Sequence, residues 1–405
     1  MRFGIFYEIS VPRPWGPETE RQVYANCIEQ CVLADQLGFD HVWAVEHHFL
    51  EEYSHCPAPE IFLATVAAKT QNIRVGHGIN VCVPEINHPI RIAERSAVLD
   101  LVSNGRLDVG TGRSATWTEL GGFRANPDLT KATWAEIVRA LPKMWMQERY
   151  AHDGVCFSMP ERAVIPKPYQ KPHPPLWVAV TSPGTEIDAA EHGIGAVGLT
   201  FNDFAEQERR VKAYRKVIVN CEPAGAINDQ VATVNFLYCH EDNKVGQATG
   251  LRLAGTFGYA AAQLVSAREV YASPSYASFG LLPQVRRASA APGDAPAPPP
   301  GMAVGDPKHI TEVLKGWEAT GVDCVNFLLN ALETVPQQEV LDSLRLFARE
   351  VMPAFKTDAR AAARVAAESE GATCRSMEAK RPSRPGRRRS GRWRRTASTS
   401  RRPRP

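Results

Sequence analysis

Short apolar runs alternate along the chain with longer stretches whose apolar residues recur every three or four positions. Residues 2–7 read as a buried strand, and a helix is predicted over about Glu18 to Leu37, with Val23, Cys27, Cys31, Ala34 and Leu37 on one face. Gly38 stops that helix. A second strand opens in Phe39-Asp40-His41-Val42-Trp43-Ala44-Val45 and runs into Glu46-His47-His48-Phe49. A helix near Glu60 to Thr70 and a third strand from Ile73-Arg74-Val75 follow. His88-Pro89 then opens a helix whose apolar residues are Ile90, Ala93, Ala97, Val98 and Leu101.

Asn104-Gly105 ends it, and Leu107 to Gly110 is the fourth strand. A helix over roughly Thr130 to Gln147 leads to the proline-rich stretch Tyr150 to Pro175, expected to cross the surface as a long loop or small hairpin. Strands at Leu176 to Thr181 and Ala196 to Thr200 precede helices at about Gly184 to His192 and Asp203 to Val219. Strand seven is Val231 to Cys239. The eighth unit is Gly321 to Leu329, followed after Pro336 by a helix carrying Val340, Leu341, Leu344, Phe347 and Ala348.

Eight strand–helix alternations argue for an α/β protein built on a parallel sheet, closed as a TIM (β/α)₈ barrel with insertions. An open doubly wound sheet is the runner-up. It is weakened because no Gly-x-Gly-x-x-Gly follows the first strand.

Two segments stand outside that alternation. Arg286 to Pro300 is Ala- and Pro-rich and cannot build a core, so residues 286–304 are expected to form a mobile loop, a candidate lid. Order should restart at Asp306-Pro307 as N-cap and first helical residue, with Ile310, Val313, Leu314 and Trp317 on one face. From Lys380 to Pro405 the chain has 12 Lys and Arg and no acid. Residues 1–379 therefore hold 35 of the 47 bases against all 44 acids, a net charge of −9. The expected division is a barrel domain over 1–356 and a disordered, Arg-rich tail over 357–405. The acidic body gives no support for nucleic-acid binding.

Apolar content of 44% with 22% charged residues allows a sizeable globular core. The nine Cys form no framework of close pairs. An odd count with no recognisable signal peptide favours a reducing cytoplasm, and no apolar run is long enough to span a membrane.

The candidate chemistry collects where strands end. Glu46, His47 and His48 close strand two, and imidazole can hold, donate or accept a proton near neutral pH. Gly76-His77-Gly78-Ile79-Asn80 closes strand three. Gly110-Thr111-Gly112-Arg113-Ser114 closes strand four, with an Arg fork suited to a phosphate or a flavin carbonyl. Thr181-Ser182-Pro183-Gly184-Thr185-Glu186 turns strand five into a helix, where hydroxyls and backbone N–H groups suit an anion, although capping alone would also select them. In a parallel barrel all of these reach one mouth. A metallohydrolase using Glu46, His47, His48, His55 and Cys56 is a competing class, disfavoured because adjacent His on a strand face opposite sides.

The runs Phe39-Asp-His-Val-Trp43, Glu46-His-His-Phe49, His88-Pro-Ile-Arg91 with Ala93-Glu94, Asn104-Gly-Arg106 and Gly110-Thr-Gly-Arg113 resemble the bacterial luciferase-like family of flavin-dependent monooxygenases. Gly321-Val-Asp323 and Ser343 to Pro353 extend the match, which covers about residues 1–356 in order. The resemblance implies a TIM barrel with long insertions that uses reduced FMN, or F420 in one branch. It implies a monooxygenase that inserts one oxygen of O₂ into a small organic substrate through a peroxide at the flavin C4a carbon. A separate NAD(P)H-dependent reductase would supply the flavin, and the protein would be a cytoplasmic homo-oligomer, a dimer. An F420-dependent oxidoreductase or a flavin-binding protein without turnover are the alternatives.

Residue by residue, His47 resembles the family's active-site His, with His48 and Glu46 as its supporting shell. Arg113 resembles the Arg of the flavin phosphate site, with Ser182 and Thr185 beside that phosphate. Gly78 and Ile79 resemble the strand-three bulge under the isoalloxazine, where the family often has a non-proline cis peptide. The loop from strand three to His88 is longer than in the luciferases, a departure that falls on the flavin-facing position of Asn80.

Overall fold

The computed structural model describes residues 1–114, 116–182, 184–199, 203–262 and 298–356. Over these residues the chain forms a closed barrel of eight parallel strands ringed by helices. The strands are β1 (Arg2–Tyr7), β2 (His41–Ala44), β3 (Arg74–His77) continued by β4 (Asn80–Val81), β5 (Leu107–Gly112), β8 (Leu176–Ala179), β9 (Gly195–Leu199), β10 (Val231–Cys239) and β12 (Cys324–Leu328). Pairing of β12 with β1, Arg2 opposite Cys324, closes the ring. β6 (Tyr150–Asp153) and β7 (Ser158–Arg162) form the antiparallel hairpin expected of the proline-rich stretch.

Around the barrel lie α1 (Thr19–Leu37), α2 (Pro59–Lys69), α3 (Pro89–Val102), α5 (Thr130–Met146), α6 (Thr185–Glu191), α7 (Phe204–Ile218), α8 (Asn243–Ala261), α9 (Pro307–Ala319) and α10 (Gln337–Glu350), with the short α4 (Trp117–Gly122) at the mouth. The local signals act as their chemistry dictates. Gly38 takes φ 84° at the end of α1. Asp306 accepts the His309 N–H at 2.7 Å and Pro307 opens α9.

Large and small side chains interlock inside the barrel. A Cβ on Gly76 would lie 2.3 Å from the Trp43 ring, and Trp43 meets Trp177 edge-on at 5.3 Å.

Several expectations need correction. In α3 the buried face is Ile92, Ala93, Ser96, Ala97, Leu99 and Asp100, whereas Val98 and Leu101 are exposed. Ala93 and Ala97 of the expected set are buried, but polar Ser96 and Asp100 share their face, so apolar spacing alone misplaces part of the stripe. Asp100 is held there by Gln170, whose N–H and side-chain amide both donate to its carboxylate.

The helices α4 and α8 and the strand β11 (Ala303–Gly305) are not among the elements that the apolar spacing predicts. β11 pairs with Leu237 to Cys239 of β10, so the end of the segment expected to be mobile is instead buried at Met302, Ala303 and Val304. The rest of that loop through residue 297, and the tail from 357, lie outside the described residues.

Candidate active site

The site is built on the strand ends of one face. β2 ends at Ala44, so Glu46, His47 and His48 lie on the turn beyond it, and the strict alternation of a strand no longer governs them. Val45 N–H still reaches the Tyr7 carbonyl at 3.1 Å, and His47 N–H reaches the Cys56 carbonyl at 3.1 Å. The three side chains therefore separate.

His47 Nδ1 lies 2.9 Å from Glu119 Oε1 and its Nε2 lies 3.7 Å from Glu8 Oε2. Glu119 is fully buried on α4. Its carboxylate also accepts the His48 N–H at 3.1 Å and the hydroxyls of Ser114 at 2.8 Å and Thr116 at 2.9 Å. Burial would push the imidazole's pKa down, but the charge and hydrogen bond of Glu119, with Glu8 and Glu46, outweigh it and carry His47 to about 9. Burial likewise pushes Glu119 up, yet His47 and the hydrogen bonds hold it below the usual carboxylate range. At neutral pH the pair is an imidazolium and a carboxylate.

Glu46 does something else. Its Oε2 accepts Val81 N–H at 2.8 Å, and its Oε1 accepts the Asn87 amide at 2.6 Å and lies 3.1 Å from His48 Nε2. It fastens β4 and the segment after it to the end of β2. Glu46 thus holds the Val81 backbone and the Asn87 amide with His48 against it, while Glu119 and Glu8 face His47.

The strand-three bulge is present. Gly76 pairs with Asp108, an offset of 32, and Asn80 pairs with Thr111, an offset of 31, so β3–β4 carries an extra residue between them. The cis bonds among the described residues are all X-Pro, and the Gly78–Ile79 bond is trans, contrary to expectation. The bulge explains the glycines opposite it. A Cβ on Gly110 would lie 2.0 Å from the His77 carbonyl oxygen, and one on Gly112 would lie 2.7 Å from the Ile79 side chain. Those glycines admit the bulge. Ile79 packs with Val81, Leu120 and Trp117, and Asn80 is buried with its Nδ2 unpartnered.

At the other side of the mouth, Gly184 takes φ 89° before α6, with open space where a Cβ would project. The expected anion-binding N–H groups are partly used by the chain itself. Gly184 N–H donates to Glu186 Oε2 at 3.0 Å and Thr185 N–H to the Ser182 carbonyl at 3.2 Å. Ser182 and Thr185 are half-buried there, and Arg113 is half-buried just after β5.

Sequence reasoning missed Glu8, Tyr53, Asn87 and Glu119. Only Glu119 had a readable signal, the Thr116-x-x-Glu119 spacing of a capping box, and Thr116 Oγ1 does accept the Glu119 N–H at 3.1 Å. The metal set does not assemble. His55 lies against Glu20 and the Glu51 carbonyl, and among the described residues no three His, Cys, Asp or Glu side chains converge on a metal position.

The model of the luciferase-like monooxygenases matches residues 1–324. The chain belongs to that family. This luciferase-like protein is accordingly an oxidoreductase. It is 28% identical over 363 residues, 88% of this chain and 96% of the relative, to the oxygenase component of a flavin-dependent trigonelline monooxygenase from Acinetobacter baylyi. Over 171 residues, 41% of this chain and 50% of the relative, it is 29% identical to an F420-dependent glucose-6-phosphate dehydrogenase from Kineococcus radiotolerans. Its fold is that of the oxygenating constituent of 3,6-diketocamphane monooxygenase from Pseudomonas putida, solved with FMN. That likeness has a TM-score of 0.68 and 22% identity, covering 87% of this chain and 98% of that one. No helix among the described residues is long and apolar enough to cross a membrane.

Proposed function

We propose that this luciferase-like protein is the oxygenase of a two-component system that uses reduced FMN and O₂ to oxygenate a small organic substrate. The observation that carries the reading is His47, an imidazolium held between Glu119 and Glu8 at the C-terminal mouth of the barrel. The Acinetobacter relative's description as an oxygenase component supports a separate NAD(P)H-dependent flavin reductase as partner.

The residues present fit a flavin. Two buried polar atoms, Asn80 Nδ2 and Glu8 Oε2, stand unpartnered at the mouth, and the space above Gly184 is open. Arg113, Ser182 and Thr185 would hold the phosphate, which would take the place of Glu186 on the Gly184 N–H. Gly78, Ile79 and Asn80 would form the seat of the ring. When bound, reduced flavin supplies the electrons that activate O₂, one oxygen entering the substrate and the other leaving as water.

The protein's own part is positional and electrostatic. Glu119 fixes the His47 ring through Nδ1, which leaves Nε2–H as the proton it can deliver or recover at the mouth. Ile79, Leu120 and Trp117 keep that side of the mouth apolar and exclude water. The Kineococcus relative favours a second reading, F420-dependent hydride transfer. The test is oxygen consumption and product formation by full-length protein with a flavin reductase, NADH and FMN, against anaerobic oxidation of candidate alcohols with F420. Turnover with F420 alone would overturn the first reading.

A further inference from the structure

The turn between β8 and α6 keeps a carboxylate of its own where the phosphate is to bind. Glu186 is 4% exposed, and its Oε2 accepts the Gly184 N–H at 3.0 Å. A glutamine would accept the same N–H without bringing a charge into the turn. Burying a carboxylate is costly unless a cation answers it closely. Here the cation stands off. Arg209 lies 3.8 Å from Glu186 Oε1, is 57% exposed, and forks onto both carboxylate oxygens of Glu206 at 2.7 and 2.8 Å.

Glu186 also borders a cavity of about 20 Å³ between the barrel wall and α7, space for one small polar group. Val180, Ala196 and Val231 form its apolar side, and Gln207 and Arg210 of α7 its polar side. Arg210 gives Nε to Glu206 Oε1 at 2.7 Å, which leaves the rest of its donor fork uncommitted among the described residues. One side chain thus borders two places, the Gly184 N–H that it occupies and a cavity with a guanidinium in its wall.

We infer that Glu186 is a gate for the cofactor phosphate: it holds the Gly184 N–H as an internal stand-in and yields it by turning to Arg210 and Gln207 in the cavity. The inference rests on the reading that Arg113, Ser182 and Thr185 hold a flavin phosphate. If Glu186 stayed in place, a phosphate dianion beside Thr185 would meet a buried carboxylate, and like charges with little water between them repel strongly. Turned into the cavity, the same carboxylate faces a guanidinium. Binding of FMN therefore breaks the Glu186–Gly184 hydrogen bond and makes a Glu186–Arg210 ion pair, so both residues set its affinity. Riboflavin, which has no phosphate, leaves the gate where it is. A cofactor exchanged with a separate reductase has to leave as well as enter, and an internal competitor weakens the hold on FMN without touching the ring seat.

The test is a titration of full-length protein with FMN and with riboflavin, read by flavin fluorescence. Glu186→Gln keeps an acceptor for the Gly184 N–H and removes the charge. It should tighten FMN binding about tenfold and leave riboflavin binding unchanged. Glu186→Ala should act in the same direction and decides the matter if the glutamine variant does not fold. Arg210→Met should weaken FMN about tenfold with no effect on riboflavin, Arg210→Lys should stay within a few-fold of wild type, and the Arg210→Met effect should vanish in the Glu186→Gln background. An Arg210→Met effect of equal size in both backgrounds means that the guanidinium acts on the phosphate directly, and overturns the gate. FMN affinity unchanged by removal of the Glu186 charge, or a change that riboflavin shares, overturns it as well and leaves Glu186 a cap of the turn. If no variant binds either flavin, the flavin reading falls and the gate with it, whereas FMN bound equally by wild type and Glu186→Gln sinks the gate alone.

Discussion

Glu119 Oε1 lies 2.9 Å from His47 Nδ1 although the two residues are 72 positions apart in the chain. One is on α4 at the end of a capping turn and the other on the turn beyond β2, and the pair joins two strand ends across the mouth of the barrel.

That pair should set the alkaline limit of the fold's stability. The His47 pKa is raised to about 9, so the pairing stabilises fully below the ordinary imidazole pKa of about 6.5 and is lost as pH rises through about 9. Glu119→Gln should remove roughly 1.5–3 kcal/mol near pH 6, the scale of a buried hydrogen bond to a charged group. The loss should shrink above pH about 9. Denaturant unfolding of both proteins across this range checks the sign.

His47→Ala should keep reduced-flavin affinity within a few-fold and lose turnover by about 10²-fold or more, the usual scale for a positioned acid or base. Flavin titration and single-turnover oxygenation are the measurements. Oxygenation at the wild-type rate would remove His47 from the chemistry.

Arg113→Ala should fail in the opposite manner. Losing a charge-assisted contact of roughly 1.5–3 kcal/mol weakens FMN binding about 10- to 100-fold. Riboflavin, which has no phosphate, should bind the variant and the wild type alike. Ser182→Ala should act in the same direction and more mildly, because Thr185 and Arg113 remain.

Gly110→Ala tests the bulge. The added Cβ would meet the His77 carbonyl oxygen at 2.0 Å, and backbone cannot swing aside as a flexible side chain can. A loss of about 1–3 kcal/mol or more in chemical denaturation is expected. Flavin affinity should fall with it, because the bulge carries Gly78, Ile79 and Asn80.

Removing residues 380–405 should leave fold and flavin binding intact. The barrel closes within residues 1–356 through the pairing of β1 with β12, and Lys356 pairs with Asp40 at 3.0 Å. Loss of soluble protein or of FMN affinity on truncation would assign the basic tail a structural part.

The sequence by itself determined the barrel, because the strand and helix periodicities, Gly38, Pro89 and Asp306-Pro307 act within a few residues of chain. It also placed His47, Arg113 and Ser182 on one mouth, since parallel strands all end on one side. Local spacing could not say which neighbour each side chain meets. The stripe of α3 went wrong at Val98 and Leu101 because Ser96 and Asp100 are buried by partners distant in sequence, Gln170 among them. Glu46 and His48 read in sequence as the support of His47, but only the tertiary packing turns Glu46 to Val81, Asn87 and His48 and leaves Glu8 and Glu119 facing the imidazole. The pKa of His47 belongs to that second level. It is set by two carboxylates from other segments in a buried site, and electrostatics depends on distance in space and on exclusion of water, neither of which is written in residue order.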